Sequence, residues 1–307
     1  MNLLRKDILL YVIHAITGLV FIFSAILKLI SLDSFELYIY SFGFFNLSLS
    51  SLAAKSFIGI EFFLGTGLLL NFYPKFFRVC TLLLLCCFSV FLVYVYFTLG
   101  NEDNCHCFGD LIELNPLPSF IKNIILILLL IPTYQLKPFQ CRYKKLITII
   151  LASILIIVII VSLLSNIYYN LKKDSDTYYN QSAAIEFINN HPEIKEISKT
   201  EPVIACFFGI GCKYCELTAK KLHLIEKNNP EVKTNFIGVF WGKEDKYEHF
   251  VETTGLEYQK TLFIDPITFL TITKESMPLI FIIENEEITQ CYMYNDLQER
   301  TLLKAIQ

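Results

Sequence analysis

Pro202-Val203-Ile204-Ala205-Cys206-Phe207-Phe208-Gly209-Ile210-Gly211-Cys212-Lys213-Tyr214-Cys215 decides the fold of the C-terminal half. Pro202 to Phe208 is a continuous apolar run, as in a buried central strand. Gly209-Ile210-Gly211 breaks it, and Cys212 opens a helix expected to reach about Lys227. A C-x-x-C at the junction of a buried strand and a helix is a redox motif with a mechanism. Unpaired backbone N–H groups and the positive end of the helix dipole favour a thiolate in the first turn. Cys212 is therefore the expected attacking sulfur. Cys215, one turn on, shares its helix face and can resolve a mixed disulfide.

The flanking sequence continues the pattern. A helix is expected over Ala183–Asn190, a strand over Asn235–Trp241 and a helix over Lys246–Thr253. Further strands follow at Leu279–Ile283 and Ile288–Tyr294. Strands alternating with helices predict an α/β sheet layered with helices. Buried inert thiols, or half of a zinc site, are the alternatives for Cys212 and Cys215. A zinc site needs two more ligands, and this half holds no second C-x-x-C and no H-x-H. Cys206 and Cys291 are expected core residues.

The other half is apolar. The 307-residue chain is 54% hydrophobic, and the excess lies before about Leu164, which points to membrane spans rather than one large soluble core. Ile8–Ile30, about Leu52–Leu70, Phe76–Leu99 and Leu146–Leu164 each approach the ~20 residues needed to cross a bilayer, and about Leu117–Tyr134 is a fourth segment that the charge pattern makes cross. The fourth is short and has Lys122 and Asn123 near its start. The first is too long for a cleavable signal and lacks a small-residue cleavage site.

Charge orients the spans. With a cytoplasmic N-terminus and five crossings, Arg5, Lys6, Lys75, Arg78, Lys137, Arg142, Lys144 and Lys145 lie inside. Asp33, Glu36, Glu102, Asp103, Asp110 and Glu113 lie outside. That is the expected cytoplasmic excess of Lys and Arg. Lys172 and Lys173 at the outer end run mildly against it. The model of five crossings places Cys105-His106-Cys107 and the region after the fifth span in one outer compartment, where disulfides persist. The net charge of −3 and the lack of a basic, aromatic-interleaved patch argue against a nucleic-acid partner.

Cys105 and Cys107 can close to a small, constrained disulfide, and strain makes such a bond oxidising. His106 can tune the thiols, bind metal with them, or be an ordinary loop residue. Lys28 and Glu61 are ionisable residues within or near the hydrocarbon region, where charge is costly and usually paired or functional. They are expected to form an interhelical pair or to line a quinone pocket. Snorkelling to the interface is the plain alternative for Lys28. His14 is expected to be a hydrogen-bonding bundle residue, and Cys80, Cys86 and Cys87 packing residues.

Two resemblances add to this reading. Phe207-Phe208-Gly209-Ile210-Gly211-Cys212-Lys213-Tyr214-Cys215, with the later Met277-Pro278-Leu279-Ile280-Phe281, resembles a membrane-tethered thioredoxin-fold domain of the TlpA type. It covers about Ser182 to Gln307. It implies that Pro278 is the cis-proline facing the cysteine pair. Cys206 stands where cytoplasmic thioredoxins keep a buried acid, and glycine rather than tryptophan precedes Cys212. Ser24-Ala25-Ile26-Leu27-Lys28-Leu29, Ile60-Glu61-Phe62-Phe63-Leu64-Gly65 and Cys105-His106-Cys107-Phe108-Gly109 together resemble the MauE/DoxX-like four-helix membrane family, over about Asp7 to Tyr134. That family is linked to disulfide formation in exported proteins, including maturation of methylamine dehydrogenase.

The expected organisation is a membrane bundle over 1–140, a fifth span and linker over 141–181, and a periplasmic thioredoxin-like domain over 182–307. The linker, about Ser165–Gln181, reaches up to roughly 55 Å when extended. The expected function is a thiol–disulfide oxidoreductase of the bacterial inner membrane. It would exchange electrons between Cys212/Cys215 and Cys105/Cys107, serve an exported cysteine-containing client, and use quinone as acceptor. No bound metal is expected. An outward reductive relay through Cys80, Cys86, Cys87 and Cys141, and a non-enzymatic assembly factor, are the alternatives.

Overall fold

The computed structural model describes residues 2–71, 73–101, 104–135 and 178–306, with 149, 153, 156 and 160 as single positions. The expected fifth span falls, apart from those positions, outside the described residues, as do Cys141 and most of the linker. The chain divides into two compact units, Met1–Ile39 with Leu49–Leu164, and Tyr40–Ser48 with Ser165–Gln307.

The first unit is helical: α1 (Asn2–Ile30), α2 (Leu32–Tyr40), α3 (Leu47–Leu69), α4 (Pro74–Leu99) and α5 (Pro116–Leu130), followed by a 3-10 turn at Ile131–Gln135. Four stretches are long and apolar enough to cross a bilayer: Ile8–Ile30, Leu47–Leu69, Pro74–Leu99 and Pro116–Tyr134. Prolines at the first turns of α4 and α5 suit positions where an N–H would be unpaired anyway. The helix α2 was not expected from the sequence, because nine residues are too few for a clear period.

The bundle is tied by close approach and by buried polar contacts. A Cβ on Gly18 would lie 2.6 Å from the Gly65 carbonyl oxygen, and one on Gly65 would lie 2.7 Å from that of Gly18. Only hydrogen at both positions lets α1 and α3 cross this closely. His14 is fully buried and its Nε2 meets Thr133 Oγ1 at 2.9 Å, the hydrogen-bonding role expected for it. Cys80 packs against the apolar cluster of Phe21, Leu64, Leu68 and Phe77. Cys86 and Cys87 are exposed on α4 among the described residues, not the packing residues expected, because they sit on the outward face of that helix.

The second unit is an α/β domain. Its elements are α6 (Gln181–Asn190), α7 (Pro192–Ser198), β1 (Val203–Gly209), α8 (Lys213–Asn228), β2 (Phe236–Trp241), α9 (Tyr247–Thr254), β3 (Lys260–Phe263), α10 (Pro266–Thr273), β4 (Leu279–Glu284), β5 (Glu287–Tyr292) and α11 (Glu299–Ala305). The sheet order is β3-β2-β1-β4-β5. β1 and β3 run parallel to β2, and β4 runs antiparallel to both β1 and β5.

All seven residues of β1 are buried, as its unbroken apolar run requires. Its two faces feed two cores. Ile204, Cys206 and Phe208 pack with Cys215, Ala219 and Leu222 of α8. Val203, Ala205 and Phe207 pack with Phe187 of α6, Phe269 of α10 and Phe281 of β4. Each large side chain so buried contributes about 1.5–3 kcal/mol. This is the thioredoxin fold expected from the sequence, following a helical membrane bundle in the chain.

Candidate functional site

The redox pair of the α/β domain sits at the β1–α8 junction. Cys212 is the residue before the first helical one, with extended backbone. Its N–H donates to the Gly209 carbonyl at 3.1 Å, and its carbonyl accepts from the Cys215 N–H at 3.0 Å. The Gly209 N–H donates to the Cys215 sulfur at 3.4 Å. Cys215 is fully buried while Cys212 is partly exposed. The Cys212 thiol falls to about 6, chiefly because the Cys215 thiol donates to its sulfur, with backbone N–H groups of the first turn adding to this. Burial pushes Cys215 the opposite way, and the neighbouring Cys212 adds to it. One sulfur is poised to attack and the other is held protonated behind it.

The Met277–Pro278 peptide is cis. A Cβ on Gly209 would lie 3.0 Å from the Met277 sulfur and 3.7 Å from the Cys212 Cβ. The proline turn and the cysteine turn therefore meet across Gly209, with Pro278 buried beneath. Tyr214, between the cysteines, is exposed and lies 5.4 Å from the Tyr294 ring.

The loop between α4 and α5 is a folded object. The Asn104 side chain organises it: Oδ1 accepts from the His106 and Leu114 N–H groups at 3.0 and 3.3 Å, and Nδ2 donates to the Gly109 carbonyl at 3.1 Å. An Asn in this loop that bonds the backbone two residues on is turn chemistry, readable but unread in the sequence. His106 has positive φ, its ring lies 4.6 Å from Tyr38, and its Nδ1 approaches Asp110 at 3.0 Å. Phe108 is buried under Lys122, whose Nζ sits 4.4 Å from the ring centre.

Gly109 is where this loop lands on α1. It has φ +68°, and a Cβ there would lie 2.2 Å from Ser31 Oγ and 2.8 Å from the Leu27 carbonyl oxygen. The adjacent Asp110 N–H donates to Ser31 Oγ at 3.1 Å. Both the backbone sign and the contact demand glycine.

The two loop sulfurs differ as the C-x-x-C pair does. Cys105 is buried, with its sulfur 3.0 Å from Ser119 Oγ. Its thiol is pushed upward, first by its hydrogen bond to Cys107 and then by burial. Cys107 falls to about 6, first through that hydrogen bond and then through the ammonium groups of Lys122 and Lys28.

Beneath the loop, Lys28 and Glu61 turn to each other. The Nζ lies 2.6 and 2.7 Å from the two carboxylate oxygens, and the residues are 3% and 4% exposed. Lys28 does not snorkel. Each head group is taken up by the other and by Ser24, the interhelical pair expected for them. Ser24 had not been singled out for a role, though its place four residues before Lys28 puts both on one helix face. Among the described residues, no three His, Cys, Asp or Glu side chains gather as metal ligands.

Residues 6–136 match the family model described as methylamine utilisation protein MauE. The membrane half is a MauE domain. The three stretches that suggested it, around Lys28, Glu61 and Cys105–Gly109, converge on one place in the structure. The chain is also similar to Protein TlpB of Flavobacterium psychrophilum, 29% identical over 84% of this chain and 83% of that protein. Among solved structures, likeness is found to a secreted Mycobacterium tuberculosis disulfide oxidoreductase described as homologous to E. coli DsbE. It is 14% identical over 36% of this chain and 84% of that one, with TM-score 0.29. StoA from Bacillus subtilis is 13% identical over the same shares, with TM-score 0.28. The thioredoxin fold is read from the strand order and the β1–α8 junction. The protein is a multi-pass membrane protein that joins a MauE domain to a thioredoxin-like domain.

Proposed function

We propose that this chain is a membrane thiol–disulfide oxidoreductase that passes electron pairs between Cys212/Cys215 and Cys105/Cys107. One observation carries the reading: in each pair one sulfur is buried against a polar hydrogen of the fold and the other is paired to it, so that the buried thiol shifts up and its partner down. Inert core thiols have no reason to be polarised in this way, twice, in one chain.

In the oxidative direction, a client thiolate attacks the Cys212 sulfur of a Cys212–Cys215 disulfide. A client–Cys212 mixed disulfide forms, and Cys215 leaves as a thiolate and takes up a proton. A second client thiol attacks the client sulfur, closes the client disulfide and releases Cys212. The reduced domain then hands its electron pair to an oxidised Cys105–Cys107 pair by the same two exchanges. A lipid-soluble quinone is the proposed final acceptor, taking two electrons and two protons. The client is an exported cysteine-containing protein. Both pairs face the periplasm of a bacterial inner membrane, with the N-terminus cytoplasmic. The Lys and Arg distribution supports that orientation. A tether between the two domains raises their effective concentration toward millimolar.

The test is Cys215→Ser in native membranes. The reading expects a reductant-sensitive adduct of Cys212 with Cys105, Cys107 or a client. Absence of any such adduct would favour an assembly factor that binds without redox chemistry. Direction follows from the thiol state of each pair in membranes with and without quinone. Oxidation of both pairs only when quinone is present fixes it outward to inward.

A further inference from the structure

We infer that the buried pair Lys28–Glu61, acting through Ser24, holds the Cys107 backbone and makes Cys107 the attacking sulfur of the loop, with Lys28 and Ser24 as positioning residues. The inference rests on the redox reading of the loop given above.

The hydrogen bonds can be assigned by counting protons. Lys28 Nζ lies 2.6 and 2.7 Å from the two Glu61 oxygens and 3.1 Å from Ser24 Oγ. An ammonium has three protons, and these three contacts take all of them. Ser24 Oγ lies 2.9 Å from the Cys107 carbonyl oxygen and 3.2 Å from Glu61 Oε2. A hydroxyl has one proton, and the shorter contact takes it. Ser24 therefore accepts from Lys28 and donates to Cys107. The chain starts at the Lys28 ammonium, which donates to the Glu61 carboxylate on one side and to Ser24 on the other; Ser24 donates on to the Cys107 carbonyl, and the first bond of that arm polarises the second.

The chain grips Cys107 and not Cys105. Cys105 is held from another helix, by Ser119 of α5. The charged groups around Cys107 sort the same way. From α1 comes Lys28, and from α3 comes Glu61, already taken up by Lys28. From α5 comes Lys122, over Phe108. Within the loop, Asp110 lies against His106. On α2, Glu36 turns to Ser51 and Lys55 of α3, and Asp33 lies in the first turn. Glu102 and Asp103 lie outside the described residues. The two ammonium groups lower the Cys107 thiol after the Cys105 hydrogen bond does.

In the exchange, the Cys107 thiolate attacks a disulfide and forms a mixed disulfide, and the displaced thiolate takes up a proton. Cys105 then attacks the Cys107 sulfur, closes the loop disulfide and releases the second thiolate. Two electrons leave the loop. The same exchanges run in reverse in the oxidative direction: the Cys212 thiolate attacks the Cys107 sulfur of the oxidised loop, Cys105 leaves and takes up a proton, and Cys215 then attacks Cys212 and releases Cys107.

The experiment uses the full chain, reduced, in membranes, with brief maleimide labelling read at each cysteine by peptide mass spectrometry. Cys107 should label about tenfold or more faster than Cys105 at pH 6.5, as its thiolate fraction requires. Ser24→Ala keeps the ion pair but cuts the chain, and should slow Cys107 several-fold, with Ser24→Thr restoring it. Replacing both Lys28 and Glu61 by Gln should move the pH midpoint of Cys107 labelling upward, because an ammonium facing the sulfur is gone. A merely structural role would leave that midpoint in place. Equal labelling of Cys105 and Cys107, or no change in both Ser24→Ala and the double variant, would overturn the inference. If the double variant does not accumulate, the Ser24 variants decide. Maleimide needs no disulfide partner, so Cys107 leading in a chain that yields no Cys215→Ser adduct supports this inference and counts against the relay.

Discussion

The Gly209 N–H donates to the Cys215 sulfur at 3.4 Å from the last residue of β1. The strand therefore ends by holding the resolving sulfur in the core, while Cys212 stands in front with its carbonyl capping α8. The asymmetry of the pair is built by the fold rather than by neighbouring charges, since no basic side chain leads the causes of the Cys212 shift.

This predicts a defined labelling profile. In the reduced chain, alkylation of Cys212 should show a midpoint near 6 and fall about tenfold for each pH unit below it. Cys215→Ala removes the largest stabilising hydrogen bond and should move the midpoint up. Cys215→Ser keeps a donor and should move it less. Peptide-level labelling against pH checks this, and an unchanged midpoint in Cys215→Ala would remove the assigned cause.

Trp241 is the chain's single tryptophan and ends β2 beside the redox turn. Its backbone carbonyl accepts from the Ile210 N–H at 2.9 Å, and a Cβ on Gly209 would lie 3.8 Å from its ring. A disulfide quenches a nearby indole, so emission should rise when Cys212–Cys215 is reduced. Cys212→Ser should abolish the response, and changes at Cys105 and Cys107 should leave it intact. Steady-state fluorescence with and without dithiothreitol measures it.

Much of this was legible in the sequence, and the losses follow a pattern. The spans, β1, the β1–α8 turn and Met277–Pro278 carry strong local signals: length, unbroken apolarity, C-x-x-C. β3 was missed because it is a four-residue edge strand with no buried face to give it a period. The helix α10 was missed although Asp265 and Pro266 are a cap and first-turn proline, a readable start signal. The link from Ser24 to Cys107 joins residues 83 apart in sequence, so no local pattern contains it.

The fit of the loop to α1 makes Gly109 intolerant. Gly109→Ala adds a Cβ into Ser31 Oγ and the Leu27 carbonyl, at a positive φ. Pairing it with Ser31→Gly removes the nearer clash but neither the carbonyl nor the backbone strain, and αL placement of a non-glycine residue costs about 1–2 kcal/mol. The single variant should lose the labelling preference for Cys107 over Cys105, and the double should regain it only in part. Full recovery in the double would show that the hydroxyl clash was the whole effect.

Asn104 should behave as the loop's internal frame. Asn104→Ala removes its bonds to His106, Leu114 and Gly109 together. Asn104→Asp keeps the two accepted bonds and loses the one donated to Gly109. At about 0.5–1.5 kcal/mol each, the first change is enough to unfold a short loop and the second is not. Limited proteolysis between α4 and α5 should therefore be fast in Asn104→Ala and near parental in Asn104→Asp, with α3–α5 still accumulating in the membrane in both.

Cys206 offers the last test. It is fully buried in the α8-facing core, and its thiol lies 3.7 Å from the Ile204 carbonyl oxygen. The core around it is largely apolar, with Phe208, Ala219, Leu222 and Phe240, and the buried Tyr258 hydroxyl is a nearby group that could donate a single bond to a carboxylate. Cys206→Asp should therefore cost about 2–5 kcal/mol. The sign of its pH dependence follows from the same burial. The carboxyl's folded pKa would lie above its unfolded value, so the acid is tolerated best at low pH and stability falls as pH rises through the folded pKa. Thermal unfolding followed at Trp241 should give a Cys206→Asp chain that melts lower at pH 8 than at pH 5, relative to the parent at each pH. Cys206→Ala should show a small, pH-independent loss. If Cys206→Asp matched Cys206→Ala at both pH values, the site would be wetter than this packing allows.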